Sequence, residues 1–178
     1  MDEVHVWLAS LNQTSATVET FFKLLTLDEK HGAPNYHFAK VRDYFTVGRG
    51  VLRIILGLYL NIPPDRIQLT YNKFGKPALC DSDEGATVCF NVSHSNDIVL
   101  CTVMRGRELG NDVECVRDNL SYVENRQKFF SSRESQHIMV LSVYLLETAI
   151  YTCCAHKETY IKAVGEENAR RVEELLCR

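Results

Sequence analysis

The chain has 178 residues, 46% of them hydrophobic and 24% charged, with a net charge of −3 and a mean hydropathy of −0.16. That is enough apolar material for one domain, or for two small lobes sharing a core, and it carries no basic excess that would advertise a nucleic-acid partner. The seven cysteines are odd in number and lack Cys-x-x-Cys and zinc-type spacings, so they read as reduced thiols of a cytoplasmic protein.

In chain order, Val4, Val6 and Leu8 alternate as in a strand. Ser15 is placed to cap a helix running to about Leu25, with Val18, Phe21, Phe22 and Leu25 on one face. Gly32 and Pro34 make 29–42 a loop or a broken helix. From Asp43 to Leu60, Phe45, Leu52, Ile55, Leu56 and Tyr59 recur at helical spacing beside Arg42, Arg49 and Arg53, and Pro63-Pro64 ends the helix. Ile67–Thr70 reads as a short strand, and 72–77 as a turn. Cys89–Val92 and Ile98–Val103 read as strands around a polar turn, Ser93-His94-Ser95-Asn96-Asp97. Glu108–Val116 reads as another strand, and 119–130 as loop. Ser131-Ser132-Arg133-Glu134 has the form of a capping box opening a helix, and a last helix is expected from about Thr148 past Gly165. The apolar run from Ile138 to Ala155 approaches the length of a membrane span, but Glu147 in its middle favours burial in protein, with no membrane contact.

Four groups of residues can carry chemistry. On a strand, Asp112 and Glu114 present two carboxylates on one face, a hard-oxygen pair suited to Mg²⁺ or simply a solvated edge. Lys157-Glu158-x-x-x-Lys162 puts Glu158 and Lys162 one helical turn apart, as a metal- and phosphate-facing pair or as an ordinary surface ion pair. His94, between Ser93 and Ser95, can donate to a phosphate or serve only its own turn. Gly75-Lys76-Pro77 permits close backbone approach and directs one lysine outward, though such turns are common.

Taken as an ordered set, Asn72-x-x-Gly75-Lys76-Pro77, Phe90-Asn91-Val92-Ser93-His94-Ser95, Gly110-x-Asp112-Val113-Glu114, Phe129-Phe130-Ser131 and Lys157-Glu158-x-Tyr160-Ile161-Lys162-Ala163-x-Gly165 resembles the Sfp-type 4′-phosphopantetheinyl transferases. The run Val47-Gly48-Arg49-Gly50-Val51-Leu52-Arg53 is similar to the family's first-lobe helix. The resemblance implies an α+β fold of two similar α/β lobes, here residues 1–104 and 105–178, with coenzyme A and Mg²⁺ between them. It implies transfer of the phosphopantetheine group of coenzyme A to a serine of an apo acyl or peptidyl carrier protein. Asp112, Glu114 and Glu158 would hold Mg²⁺. Asp112, Glu158 and Lys162 would be catalytic, and Lys76, Ser93, His94, Lys157 and Lys162 would bind coenzyme A.

The departures from the family pattern are specific. Tyr44 stands where an arginine usually reaches the coenzyme A 3′-phosphate, Asn111 replaces an aliphatic residue, and Cys154 replaces a tryptophan. After Gly165 a helix-like tail, with Val172, Leu175 and Leu176 as its apolar positions, stands where the family continues into strands. The expectation is therefore a truncated second lobe with unpaired strand edges and self-association. The alternative function is a coenzyme A or carrier-protein binding remnant without turnover.

Overall fold

The computed structural model describes residues 3–32, 38–72, 75–80, 88–116 and 130–164. Strand β1 (His5–Ser10) leads into helix α1 (Ser15–Leu24), the short α2 (Leu27–Gly32) and the long α3 (Ala39–Leu60). A 3₁₀ turn (Pro64–Arg66) then leads to β2 (Leu69–Tyr71), β3 (Pro77–Leu79), β4 (Val88–Ser95) and β5 (Ile98–Arg105). Helices α4 (Ser132–Met139) and α5 (Val143–Val164) complete the described residues. The architecture is α+β, with an antiparallel sheet in the order β1-β5-β4 and a separate β2-β3 hairpin.

Helix α3 organises the first part. Its inner face sets Leu52, Ile55 and Leu56 against Val88 and Phe90 of β4 and Cys101 and Val103 of β5. Each fully buried side chain of this size contributes about 1.5–3 kcal/mol. Helix α1 crosses α3 at Gly50, where any Cβ would collide with the Phe21 ring. The cap of α1 is Thr14 rather than Ser15: its hydroxyl accepts from the Thr17 N–H, and Ser15 is the first helical residue. Asn61, left-handed at φ 55°, ends α3 two residues ahead of Pro63.

In β1 the alternating apolar residues Val4, Val6 and Leu8 turn to the exposed face. The opposite face meets α3, where the Trp7 indole N–H donates to the Tyr59 hydroxyl and the His5 ring shares a hydrogen bond with the same oxygen.

Three expected elements differ from what forms. Strand β4 continues through Ser93, His94 and Ser95, each paired across to β5, so the reversal shrinks to Asn96-Asp97 with Asn96 at φ 52°. The stretch 108–116 forms no strand, because its amides are held by side chains rather than by a ladder. Asn111 N–H donates to Asn91 Oδ1, and Cys115 N–H to Ser95 Oγ. The run 138–155 is broken at 140–142 into α4 and α5, so the last helix begins at Val143, and no described helix is long and apolar enough to cross a membrane. The loop expected over 119–130 lies, but for Phe130, outside the described residues, as does everything after Val164.

The capping box forms in both directions. Ser131 Oγ accepts from the Glu134 N–H, and the Glu134 carboxylate accepts from the Ser131 N–H. A third small core, Phe130, Ile138 and Ile150, joins α4 to α5, with Cys153 and Cys154 packed at its side. No disulfide joins the six described cysteines. Burial raises the Cys101 thiol to about 12 and, with help from Glu134, the Cys153 thiol to about 11, so both are inert protonated thiols near neutral pH.

Candidate active site

The segment 109–116 leaves β5 and lies along the face of β4 that carries Asn91, Ser93 and Ser95. Asn111, only 5% exposed, donates from its side-chain amide to the carbonyls of Asn91 and Leu100 at 3.1 Å each. The Asn111 amide is thereby satisfied on the donor side, and it stitches the segment to both β4 and β5. Ser95 Oγ, while accepting from Cys115, donates to Glu114 Oε2 at 3.5 Å.

From the other side comes α5. Gly110 presses directly onto the backbone of this helix, with Thr159 O and Ala163 N as its neighbours. That contact sets the next residues in register with α5. Lys162 Nζ donates to Asp112 Oδ1 at 2.6 Å, although 50 residues separate the two in sequence. The Asp112 side chain is 7% exposed, and its second oxygen, Oδ2, is buried with no hydrogen-bond partner among the described residues. An anionic oxygen in that state calls for a further cation. Glu114 and Glu158 are exposed. Both act on one thiol: burial raises the Cys154 pKa first, Lys157 opposes it, and the charges of Glu114 and Glu158 raise it further. The charge of Glu134 acts on the same thiol in the same direction.

Other expected site residues go elsewhere. Lys157, five residues before Lys162, is rotated away from Asp112. It donates to Glu134 Oε2 at 2.8 Å, with its ammonium 5.2 Å from the centre of the Phe130 ring. Burial alone would raise the Glu134 carboxyl, but hydrogen bonds from Lys157 and Ser131 outweigh it and hold the group below the usual carboxylate range. Lys76 Nζ donates to the backbone carbonyl of Lys162 at 2.8 Å and pairs with Glu108 at 3.3 Å. Strand alternation separates Ser93 from His94: Ser93 is buried against the 109–116 segment, while His94 is exposed on the opposite face.

His94 opens onto a groove of about 480 Å³ between α3, the sheet and the β2-β3 turn. Tyr44, Phe45, Arg49, Gly75 and Pro77 share its lining, and none of the described lining residues is a carboxylate. The Arg49 guanidinium lies 5.5 Å from the Phe45 ring centre and 5.2 Å from that of Tyr71. Sequence reading treated Arg49 as a flanking helix charge; only packing reveals it as a groove cation held between aromatic faces. The Lys40 ammonium stands 5.2 Å over the Tyr44 ring.

Comparison with known proteins gives this arrangement its relatives. A family model described as 4′-phosphopantetheinyl transferase, N-terminal, matches residues 9–104, more than half of the chain. The chain belongs to the 4′-phosphopantetheinyl transferase family. It is similar to the 4′-phosphopantetheinyl transferase HetI of Nostoc sp., with 34% identity over 172 residues that cover 97% of this chain and 73% of that protein. It is also similar to the 4′-phosphopantetheinyl transferase gsp of Aneurinibacillus migulanus, with 28% identity over 131 residues, 72% of this chain and 52% of that protein. The α+β architecture agrees with membership of this transferase family.

Among the described residues no three His, Cys, Asp or Glu side chains converge as a formed metal cage. The donor chemistry nevertheless fits a hard divalent cation. Asp112 offers a buried oxygen unpartnered among the described residues, and the exposed Glu114 and Glu158 are the carboxylates that would join it around such an ion.

Proposed function

We propose that this chain transfers the 4′-phosphopantetheine group of coenzyme A to a serine of an apo acyl or peptidyl carrier protein and releases 3′,5′-ADP. This is a reaction of the holo-acyl-carrier-protein synthase type, carried out in the cytoplasm. Residues 1–104 serve as the first lobe and 105–178 as the second. The observation that carries this reading is the meeting of Asp112 and Lys162 from separate elements, with Asp112 Oδ2 left buried and unpartnered among the described residues.

In this reading the carrier serine oxygen bonds to the phosphorus that bears the pantetheine arm. The pyrophosphate P–O bond breaks, and the electron pair leaves with 3′,5′-ADP. Glu158, or a water held by the carboxylates, takes the serine proton. Asp112, Glu114 and Glu158 would hold Mg²⁺, which when bound would supply positive charge toward the phosphates. Lys162 is already neutralised on one side by Asp112 and offers its remaining N–H bonds to the phosphates. The groove takes the adenosine end of coenzyme A, with Arg49 and His94 facing its phosphates.

Incubating the chain with coenzyme A, Mg²⁺ and an apo acyl carrier protein should raise the carrier's mass by one phosphopantetheine group. No mass gain under these conditions would defeat the reading. Asp112→Ala should abolish Mg²⁺-dependent coenzyme A binding in calorimetry while leaving the circular dichroism spectrum unchanged. Equal metal dependence in that variant would remove Asp112 from the site.

Tyr44 makes a separate test, since it lines the groove with the Lys40 ammonium over its ring. Tyr44→Arg should tighten coenzyme A binding by about 1.5–3 kcal/mol through a charge-assisted hydrogen bond, with no comparable gain for dephospho-coenzyme A. Equal gains for the two ligands would show that position 44 does not face the 3′-phosphate.

A further inference from the structure

Lys76 sits in the turn between β2 and β3, and its two neighbours have a different job from its own. Gly75 and Pro77 line the groove. Gly75 takes φ 82°, a conformation that favours glycine, and the turn is closed by Asn72, whose carbonyl accepts from the Gly75 N–H and whose side-chain oxygen accepts from the Lys76 N–H. The Lys76 side chain crosses to α5, where Nζ meets the Lys162 carbonyl at 2.8 Å. That carbonyl belongs to the last described turn of α5. The Lys76 side chain, 25% exposed, also pairs with the exposed Glu108 at 3.3 Å.

The same residue, Lys162, is thus gripped twice. Lys76 holds its backbone carbonyl, and Asp112 holds its side chain at 2.6 Å. We propose that Lys76 is a positioning residue: its ammonium ties the turn that walls the groove to the helical turn carrying Glu158 and Lys162. The tie couples the place where the first-lobe ligand rests to the place where Lys162 meets Asp112. It rests on the transferase reading for its functional consequence, but the structural tie stands on the contacts alone.

The test compares the full chain with Lys76→Met, which removes the donor, and Lys76→Gln, which keeps a neutral donor for the carbonyl. Transfer from coenzyme A to an apo acyl carrier protein is followed as kcat and as the coenzyme A KM. Amide exchange is read over 158–164 by mass spectrometry. A positioning residue gives Lys76→Met a kcat lower by roughly tenfold or more, as small misplacements at reacting centres do, with the coenzyme A KM within about twofold of the parent. It also gives faster exchange over 158–164, and Lys76→Gln recovers most of both effects. A KM raised about tenfold in both variants at unchanged kcat overturns the proposal and makes Lys76 a phosphate ligand; unchanged kcat, KM and exchange in Lys76→Met overturns it too. Should the parent chain transfer nothing, the transferase reading fails. The exchange measurement then decides the tie by itself, with lost protection in Lys76→Met supporting it and equal protection overturning it.

Discussion

Replacing Gly110 with alanine is expected to lower phosphopantetheine transfer by about a hundredfold or more, with a loss of stability of about 1–3 kcal/mol. The cause is local and steric. A Cβ at this position falls onto the Thr159 carbonyl and 2.7 Å from the Ala163 amide nitrogen, both backbone atoms of α5. Helical backbone has no rotamer with which to move aside, so the segment and the helix must separate. Overpacking of this kind costs about 1–3 kcal/mol. The functional loss is larger because Asp112 follows two residues later, and its 2.6 Å bond to Lys162 spans the same junction. A displacement near 1 Å at reacting groups costs on the order of a hundredfold in rate. Steady-state kinetics with thermal unfolding of both proteins provide the check. A Gly110→Ala chain with parental kcat would show that the junction between 109–116 and α5 does not build the site.

The parts of this fold that were legible in the sequence are those governed by local rules. Helix α3 announced itself through Leu52, Ile55 and Leu56, which recur at helical spacing and do form the core. The capping box at Ser131 and Glu134 was readable because both halves of the device lie within four residues. The 108–116 segment misled because alternation of Asp112 and Glu114 is compatible with a strand, while its hydrogen bonds are decided by Asn91 and Ser95, some 20 residues away. Ser93-His94-Ser95 has the composition of a turn, yet pairing with Ile98, Val99 and Leu100 extends the strand through it. That extension sends Ser93 and His94 to opposite faces, which no local pattern specifies.

Within the site, residue type was readable and partner choice was not. Lys157 and Lys162 are chemically equal in the sequence, but five residues of α-helix rotate them about 140° apart, so one finds Glu134 and the other Asp112. Arg49 was visible only as one of three arginines on α3. Its neighbour on that helix, Arg53, is 1% exposed and holds the scaffold, whereas Arg49 lines the groove.

That contrast makes Arg53 the place where the first lobe should be most sensitive. Its Nε donates to Glu29 Oε2 at 2.8 Å, and its Nη1 donates to the carbonyls of Pro64 and Ile67 at 3.0 Å each. One side chain therefore joins α2, α3 and the chain leaving α3. Arg53→Met keeps much of the volume but leaves the Glu29 carboxylate, 7% exposed, without its cation. Breaking one half of a buried pair costs about 3–5 kcal/mol, a large part of the 5–15 kcal/mol typical of a folded domain, and should lower Tm by roughly 6–20 °C. Adding Glu29→Leu removes the stranded charge and should return part of the loss. Recovery stays incomplete, because the Pro64 and Ile67 carbonyls still lack their donor. Denaturant unfolding of the two single variants and the double variant gives the coupling directly. An Arg53→Met chain within about 1 kcal/mol of the parent would mean that the pair is dispensable and that apolar packing of α3 alone holds the lobe.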